Sequence, residues 1–233
     1  MRGVVVSEPR GGVLDAVAAA RCLPGVYPPQ ADTELLARAL ASEDLGPTSQ
    51  VLDLCTGIGR LSLQAAALGA GHVTAVDLSR RAVFSTWINA TMHRDSIRVL
   101  YGDLTAPVKG EQFDLVISNP PYVPAQDDTL PNRGPQRAWD AGRNGRALLD
   151  RICAEAPAVL ASGGVLLLTQ SSLSGIEQTR SRLEDQGLSI DIAARFEIHF
   201  GPVLSSRRTM LETRGLITTG QTTEELVVIR AVK

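Results

Sequence analysis

From position 50 onwards the chain alternates short apolar runs with helix-patterned segments. This alternation limits the possible folds more than any other feature of its 233 residues. Val51-Leu52-Asp53-Leu54-Cys55 reads as a strand, Thr56-Gly57-Ile58-Gly59 as a turn, and 61–68 as a helix. Further strands are expected at 72–77, 97–101 and 113–118, with a helix over 79–92 between the first two. A long polar loop, 123–142, precedes a helix over 144–160 in which Pro157 is a candidate kink. Gly163-Gly164 reads as a turn into a strand at 165–169, followed by a helix over 175–186. The stretch 188–200 contains a strand, and 224–232 is the last one. Strands alternating with helices predict an α/β fold, a doubly wound and mostly parallel sheet with helices on both faces.

Upstream, Asp32 reads as the N-cap of a helix over 33–42, in which Leu35, Leu36, Ala39 and Leu40 take helical spacing. Gly46-Pro47 ends it. The stretch 14–22 reads as a short helix or amphipathic segment. No internal repeat or interdomain linker interrupts the chain, which divides into a lead, 1–24, and one domain, 25–233.

Composition excludes several classes. Hydrophobic residues make up 44% and charged residues 21%, as in a globular protein with a real core. Aromatics reach only 4%, so Ala, Val and Leu must fill most of that core. The net charge of −2 gives no general pull towards nucleic acid or an anionic membrane. Cys22, Cys55 and Cys153 form no metal-binding spacing and are odd in number. Reduced thiols in a cytoplasm fit best, and no metal site is expected. No apolar run reaches membrane-spanning length, and the N-terminus lacks a signal-peptide pattern.

The chemistry gathers where predicted strands end. Ser118-Asn119-Pro120-Pro121-Tyr122 follows the apolar run 113–117. Two prolines give no N–H to a ladder, so the chain must leave the sheet at Asn119. A carboxamide, a proline-fixed carbonyl and a tyrosine ring then stand at the strand edge where open α/β sheets bind ligands. The Asn119 oxygen and the Pro120 carbonyl are both acceptors, able to hold the two hydrogens of an NH2 group. On the other side, Gly57 and Gly59 open a helix N-terminus to close approach by a ligand. Asp77 ends the next strand about 20 residues on, where nucleotide-binding folds place a ribose-binding acid. Gly102-Asp103-Leu104 puts another acid at the same edge, within reach of an adenine amino group. The glycine turn lacks a full dinucleotide fingerprint and is no P-loop, which suits a nucleoside without a pyrophosphate.

Asp53-Leu54-Cys55-Thr56-Gly57-Ile58-Gly59, Ala75-Val76-Asp77-Leu78-Ser79, Gly102-Asp103-Leu104 and Ser118-Asn119-Pro120-Pro121-Tyr122, in that order and spacing, resemble class I S-adenosylmethionine-dependent methyltransferases that modify amino groups. More closely they resemble the HemK-like glutamine N5-methyltransferases that act on peptide release factors. Val26-Tyr27-Pro28-Pro29-Gln30-Ala31-Asp32-Thr33 is similar to the Pro-rich leading segment of that family. Trp139-Asp140-Ala141-Gly142-Arg143-Asn144-Gly145-Arg146 is similar to its segment after the catalytic loop. The resemblance covers residues 25–200. It implies a Rossmann-like fold with a seven-stranded sheet, antiparallel near the C-terminus, and S-adenosylmethionine as cofactor. Asp53, Gly57 and Gly59 would line its methionine end, Asp77 its ribose, and Asp103 and Leu104 its adenine. Thr33 would close the cofactor site. Asn119 and Pro120 would hold the substrate nitrogen at the border with the cofactor, with Tyr122 as the wall.

Three features depart from the pattern. Cys55 stands where the family has its first glycine. Little precedes Tyr27, as in the archaeal and eukaryotic branch, whose members work with a small zinc-binding partner. The stretch 201–220, with Arg207, Arg208 and Arg214, has no placed counterpart, and Arg207-Arg208 reads as a solvated helix face. Trp139 reads as packing, and Asp127 and Asp128 as solvated loop residues. Three acceptor classes follow: a protein glutamine such as that of a release factor, an adenine amino group of DNA or RNA, and a small-molecule amine or amide. The acidic balance disfavours the second. A cofactor-binding regulator without turnover is the rival outside enzymes.

Overall fold

The computed structural model describes residues 20–23, 26–93 and 96–233. Most of the expected 14–22 segment lies outside these residues. The strands are β1 (Gln50–Leu54), β2 (His72–Asp77), β3 (Ile97–Tyr101), β4 (Phe113–Ser118), β5 (Leu160–Ser171), β6 (Ser189–His199) and β7 (Thr223–Val232). They form one seven-stranded sheet in the order β3-β2-β1-β4-β5-β7-β6. β1 to β5 pair in parallel, whereas β7 lies between β5 and β6, antiparallel to both. The strand order reverses beside β1 and β4, and such a switch point is where open α/β sheets form their crevice. β1 and β4 carry the two motif turns.

The helices are α1 (Ala31–Leu40), α2 (Arg60–Ala67), α3 (Arg80–His93), α4 (Ala147–Val159), α5 (Ile176–Glu184) and α6 (Pro202–Thr213). α1 packs on β5, β6, β7 and α2, α2 meets α3, and α4 meets α5. Central strands buried on both faces read as near-continuous apolar runs. Leu52, Leu54, Val116, Ile117, Leu166 and Leu167 are accordingly fully buried. No helix among the described residues is long and apolar enough to cross a membrane.

Three expectations need correction. Asp32 does not cap α1: Gln30 holds the N-cap position without a side-chain bond, and Asp32 lies in the first turn. Its carboxylate is instead taken by Thr33 and Tyr122. The expected turn at Gly163-Gly164 is an irregularity inside β5, which starts at Leu160 and shifts register between Phe113 and Leu115 of β4. The expected helix over 144–160 starts at Ala147, because Asn144-Gly145 forms a turn in which Asn144 Oδ1 accepts the Arg146 N–H. Pro157 falls in the last turn of α4.

Candidate active site

The end of β1 builds one half of the crevice. Asp53 is fully buried, and its Oδ2 accepts from Thr56 Oγ1 at 2.6 Å, Ser62 Oγ at 2.5 Å and the Ser62 N–H at 3.1 Å. Its Oδ1 is buried and has no partner among the described residues. Burial pushes the Asp53 carboxyl up to about 6 against these bonds. A buried carboxylate oxygen with no donor fits the charged amino group of an amino-acid-bearing cofactor. Cys55 then adopts φ 60, the left-handed conformation glycine takes without a side-chain penalty. The turn thus keeps a glycine-like backbone at the position where the resemblance calls for glycine. Burial, followed by Asp77 and Asp53, pushes the Cys55 thiol far up, which disarms it as a nucleophile.

The glycine turn is held from outside. Thr86 Oγ1 of α3 donates to the Gly57 carbonyl at 3.0 Å, and Asn89 Nδ2 donates to Ile58 at 2.8 Å. A Cβ on Gly59 would come 2.7 Å from Thr86 Cγ2 at φ +83, so only glycine lets α3 approach. Asp77 accepts the Gly57 N–H at 3.0 Å and the Ser79 N–H at 2.7 Å, joining β2 to the turn. Burial raises its carboxyl despite those bonds. Asp103 ends β3 half-exposed, with Oδ1 on Arg151 at 3.0 Å. Leu104 beside it is buried at φ 46. Backbone strain of this kind concentrates at ligand sites, and both strained residues flank this crevice. The residues present therefore fit a nucleoside carrying an amino acid. Arg137, in a short 3-10 turn, donates to the Leu78 carbonyl at 3.2 Å and brings the 123–142 loop across to the β2 end.

The end of β4 builds the other half. Ser118 Oγ donates to the Leu54 carbonyl at 3.0 Å and joins the two motif strands. Asn119 Nδ2 donates to Thr33 Oγ1 at 3.2 Å, while Asn119 Oδ1 is buried with no partner among the described residues. The Thr33 hydroxyl in turn reaches Asp32 Oδ1 at 3.3 Å, and Tyr122 Oη donates to Asp32 Oδ2 at 2.9 Å. Among the described residues no donor reaches the Pro120 carbonyl. Thr33 and Asn119, 86 positions apart, are thus brought together, as are Asp53, Gly57, Gly59 and Asp77. Asp103 and Leu104 stand at the β3 end.

Three groups escaped the sequence reading. Asp32 ties Thr33 to Tyr122. Glu224 opens β7 beside the C-terminal end of β5, where Leu226 faces Ser171. It is 7% exposed, its Oε2 has no partner among the described residues, and burial raises its carboxyl. Arg146, 2% exposed, bonds Asp150, Thr179 and the Ser174 and Gly175 carbonyls. Ser174 Oγ donates to the Tyr122 carbonyl at 2.7 Å, so Arg146 supports the motif at one remove. Trp139 packs on Tyr27 with ring centroids 5.6 Å apart. Asp128 is more than solvated: its Oδ1 accepts the Arg143 N–H at 2.9 Å.

Residues 22–132 match the family described as methyltransferase small domain. The chain is 34% identical over 177 residues to a Methanocaldococcus jannaschii protein named as a protein N5-glutamine methyltransferase, covering 76% of this chain and 88% of that one. It is 38% identical over 147 residues to the release factor glutamine methyltransferase of Deinococcus radiodurans, covering 60% and 52%. It is 36% identical over 132 residues to the ribosomal protein uL3 glutamine methyltransferase of Francisella tularensis, covering 54% and 42%. The chain thus spans about half the length of these two bacterial relatives. Among solved structures, the E. cuniculi Mtq2–Trm112 complex, responsible for methylating the termination factor eRF1, aligns with TM-score 0.61 and 25% identity over 90% of this chain and 99% of that one. A T. thermophilus 16S rRNA N2 methyltransferase with AdoMet and guanosine shares the fold, with TM-score 0.61 and 21% identity over 91% and 46%.

Proposed function

The chain belongs to the protein N5-glutamine methyltransferase family, and from that premise we propose that it moves a methyl group from S-adenosylmethionine to the side-chain amide nitrogen of a glutamine in a protein. The observation that carries this reading is the Asn119 carboxamide. Its nitrogen is committed to Thr33, and its buried oxygen has no donor among the described residues. With the Pro120 carbonyl it offers two acceptors to one NH2 group. Both amide hydrogens would then be held, which leaves a face of the nitrogen free to meet the methyl group. Neither acceptor carries a charge, which suits a neutral amide. S-adenosylmethionine, when bound, supplies an electrophilic methyl on a sulfonium. Asp53 would hold its amino group, Asp77 its ribose and Asp103 with Leu104 its adenine edge. Thr33 and Asn119 would stand between the two ligands. Orientation of this kind accounts for large rate factors without an acid or base of shifted pKa. The proton leaves the nitrogen after transfer.

The relatives' names point to translation proteins as acceptors, a termination factor or a ribosomal protein. Labelled methyl transfer to recombinant release factor, ribosomal protein and total RNA, read by mass spectrometry, tests this. N5-methylglutamine in a protein is expected, and label found only in RNA would overturn the reading.

A small partner subunit is a second element, favoured by one surface. Phe84 and Trp87 of α3 stack at 5.9 Å while more than half exposed, with Leu78 and Tyr101 exposed as well. β3 is the edge strand beside them. Large apolar groups left exposed on one helix beside an edge strand suit an association site. Trp87→Arg should abolish co-purification with a small zinc-binding subunit and leave the melting temperature of the isolated chain in place.

A further inference from the structure

The β6–β7 connection carries α6, and its arginines converge on one target. Arg207 Nη1 donates to Asp140 Oδ1 at 2.6 Å and to the Pro124 carbonyl at 2.8 Å. Arg214, just past the helix, donates from Nη1 to the Ala125 carbonyl at 2.6 Å and to the Arg143 carbonyl at 3.3 Å. Its Nη2 donates to the Gln126 carbonyl at 2.6 Å. All five acceptors lie on the loop that leaves Tyr122 and returns at Arg143. Three of them are consecutive carbonyls two to four residues beyond Tyr122. Arg207 is therefore not on a solvated face, as expected from sequence; its neighbour Arg208 is exposed.

Two features separate this clamp from general support of the fold. α6 is seated on its own apolar cluster of Leu173, Leu204, Leu211 and Ile217, and Val123 of the loop packs on both this cluster and the main core. The loop also has its own ladder, Val123 N–H to Trp139 at 2.8 Å, Ala141 N–H to Val123 at 3.0 Å and Ala125 N–H to Gly142 at 2.8 Å. The arginines thus set where an already folded loop stands. Between loop and helix lies a cavity of about 320 Å³ that Arg207, Gln126, Gln136 and Met210 help to line. Asp53, Gly57 and Asp77 make no hydrogen bond to α6.

We infer that Arg207 and Arg214 are positioning residues for the acceptor: they fix the 123–143 loop where it leaves the Asn119–Tyr122 motif and so set where the substrate amide stands. This rests on the acceptor site proposed above. The test compares wild type with Arg207→Ala, Arg214→Ala and Arg207→Lys. Three quantities are read: backbone amide exchange, cofactor affinity by calorimetry, and kcat and KM for a glutamine peptide. Arg207→Ala should speed exchange at Val123, Ala125 and Ala141 while leaving Val51 to Leu54 protected. It should lower kcat/KM for the peptide about tenfold, as misplacement of a reacting group does, with cofactor affinity held within about twofold. Arg207→Lys should recover most of this, since a single nitrogen makes both Arg207 bonds. Unchanged exchange with unchanged kcat/KM would overturn the inference. So would a parallel loss of cofactor affinity, melting temperature and kcat/KM that lysine fails to restore. If wild type methylates no glutamine peptide, the proposed function falls alone, and the exchange experiment still decides the clamp.

Discussion

A carboxamide is nearly symmetric, so Asn119 needs a neighbour that tells its oxygen from its nitrogen. Thr33 does this because Asp32 accepts only. The Thr33 proton is directed to Asp32, and its lone pair is left to accept the Asn119 NH2. Thr33→Val keeps the shape but removes that acceptor. Turnover should fall about 10- to 100-fold through lost orientation, with Thr33→Ser near wild type. Single-turnover methyl transfer alongside calorimetry for the cofactor checks it. Asn119→Ala removes the acceptor itself and should cost about 100-fold or more, with the protein still folded by thermal melt. Wild-type turnover in a folded Asn119→Ala protein would remove the residue from the reaction. Asn119, Pro120 and Tyr122 were legible because prolines and aromatic stand contiguously after an apolar run. Asp32 was misread because an acid ahead of a helical pattern looks like a cap, and its tyrosine partner is 90 positions away. Glu224 gave no signal: its place in the site depends on an antiparallel strand carrying it alongside Ser171.

Elements position these groups through close backbone approaches. A Cβ on Gly145 would come 2.3 Å from the Tyr122 carbonyl, and the residue has φ +71. Gly145→Ala must therefore move the turn ahead of α4 or the motif itself. A left-handed alanine alone costs about 1–2 kcal/mol, and the clash adds to it. The variant should melt several degrees lower, and its remaining folded fraction should transfer methyl slowly while binding cofactor normally. A normal melting temperature would show that the turn relaxes freely. The parallel strands β1, β2, β4 and β5 were readable because buried strands are short apolar runs between polar turns, whereas β6 showed only as alternating character, its residues half-buried or exposed. α6 was not placed, although Gly201 followed by Pro202 at the first helical position is a start signal. Its buried side is sparse, with only Leu204 and Leu211 fully inside, so the apolar period is weak. The Gly163-Gly164 pair misled because two glycines read as a turn, whereas here Gly163 takes φ +76 inside a continuing strand.

At the scale of the whole molecule, buried acids are concentrated at one edge of the sheet. Asp53, Asp77 and Glu224 are all raised, burial being the first cause in each. A carboxyl raised in the folded state binds its proton more tightly there than in the unfolded chain. Its stabilising effect is complete below the unfolded pKa and lost as pH rises through the folded one. For Asp53 that window runs from the usual 3.8 to about 6. At 1.36 kcal/mol per pH unit, the cost at neutral pH is on the order of 3 kcal/mol. Asp53→Asn keeps the shape and removes the ionisation. The ligand-free variant should match wild type near pH 4 and become the more stable protein above pH 6. Denaturant melts across that range check the sign, and a difference that does not change with pH would refute it. The sheet order has another consequence, in time. β7 lies between β5 and β6 but follows β6 in the chain, so on the ribosome β6 emerges with no strand to pair with. From His199 to Val232 is 33 residues, which at about 5–20 residues per second is roughly 2 to 7 seconds of translation. During that interval α6 has no fixed anchor on its C-terminal side and the acceptor wall cannot be fastened, so the nascent chain can complete its glycine turn well before it can hold a substrate.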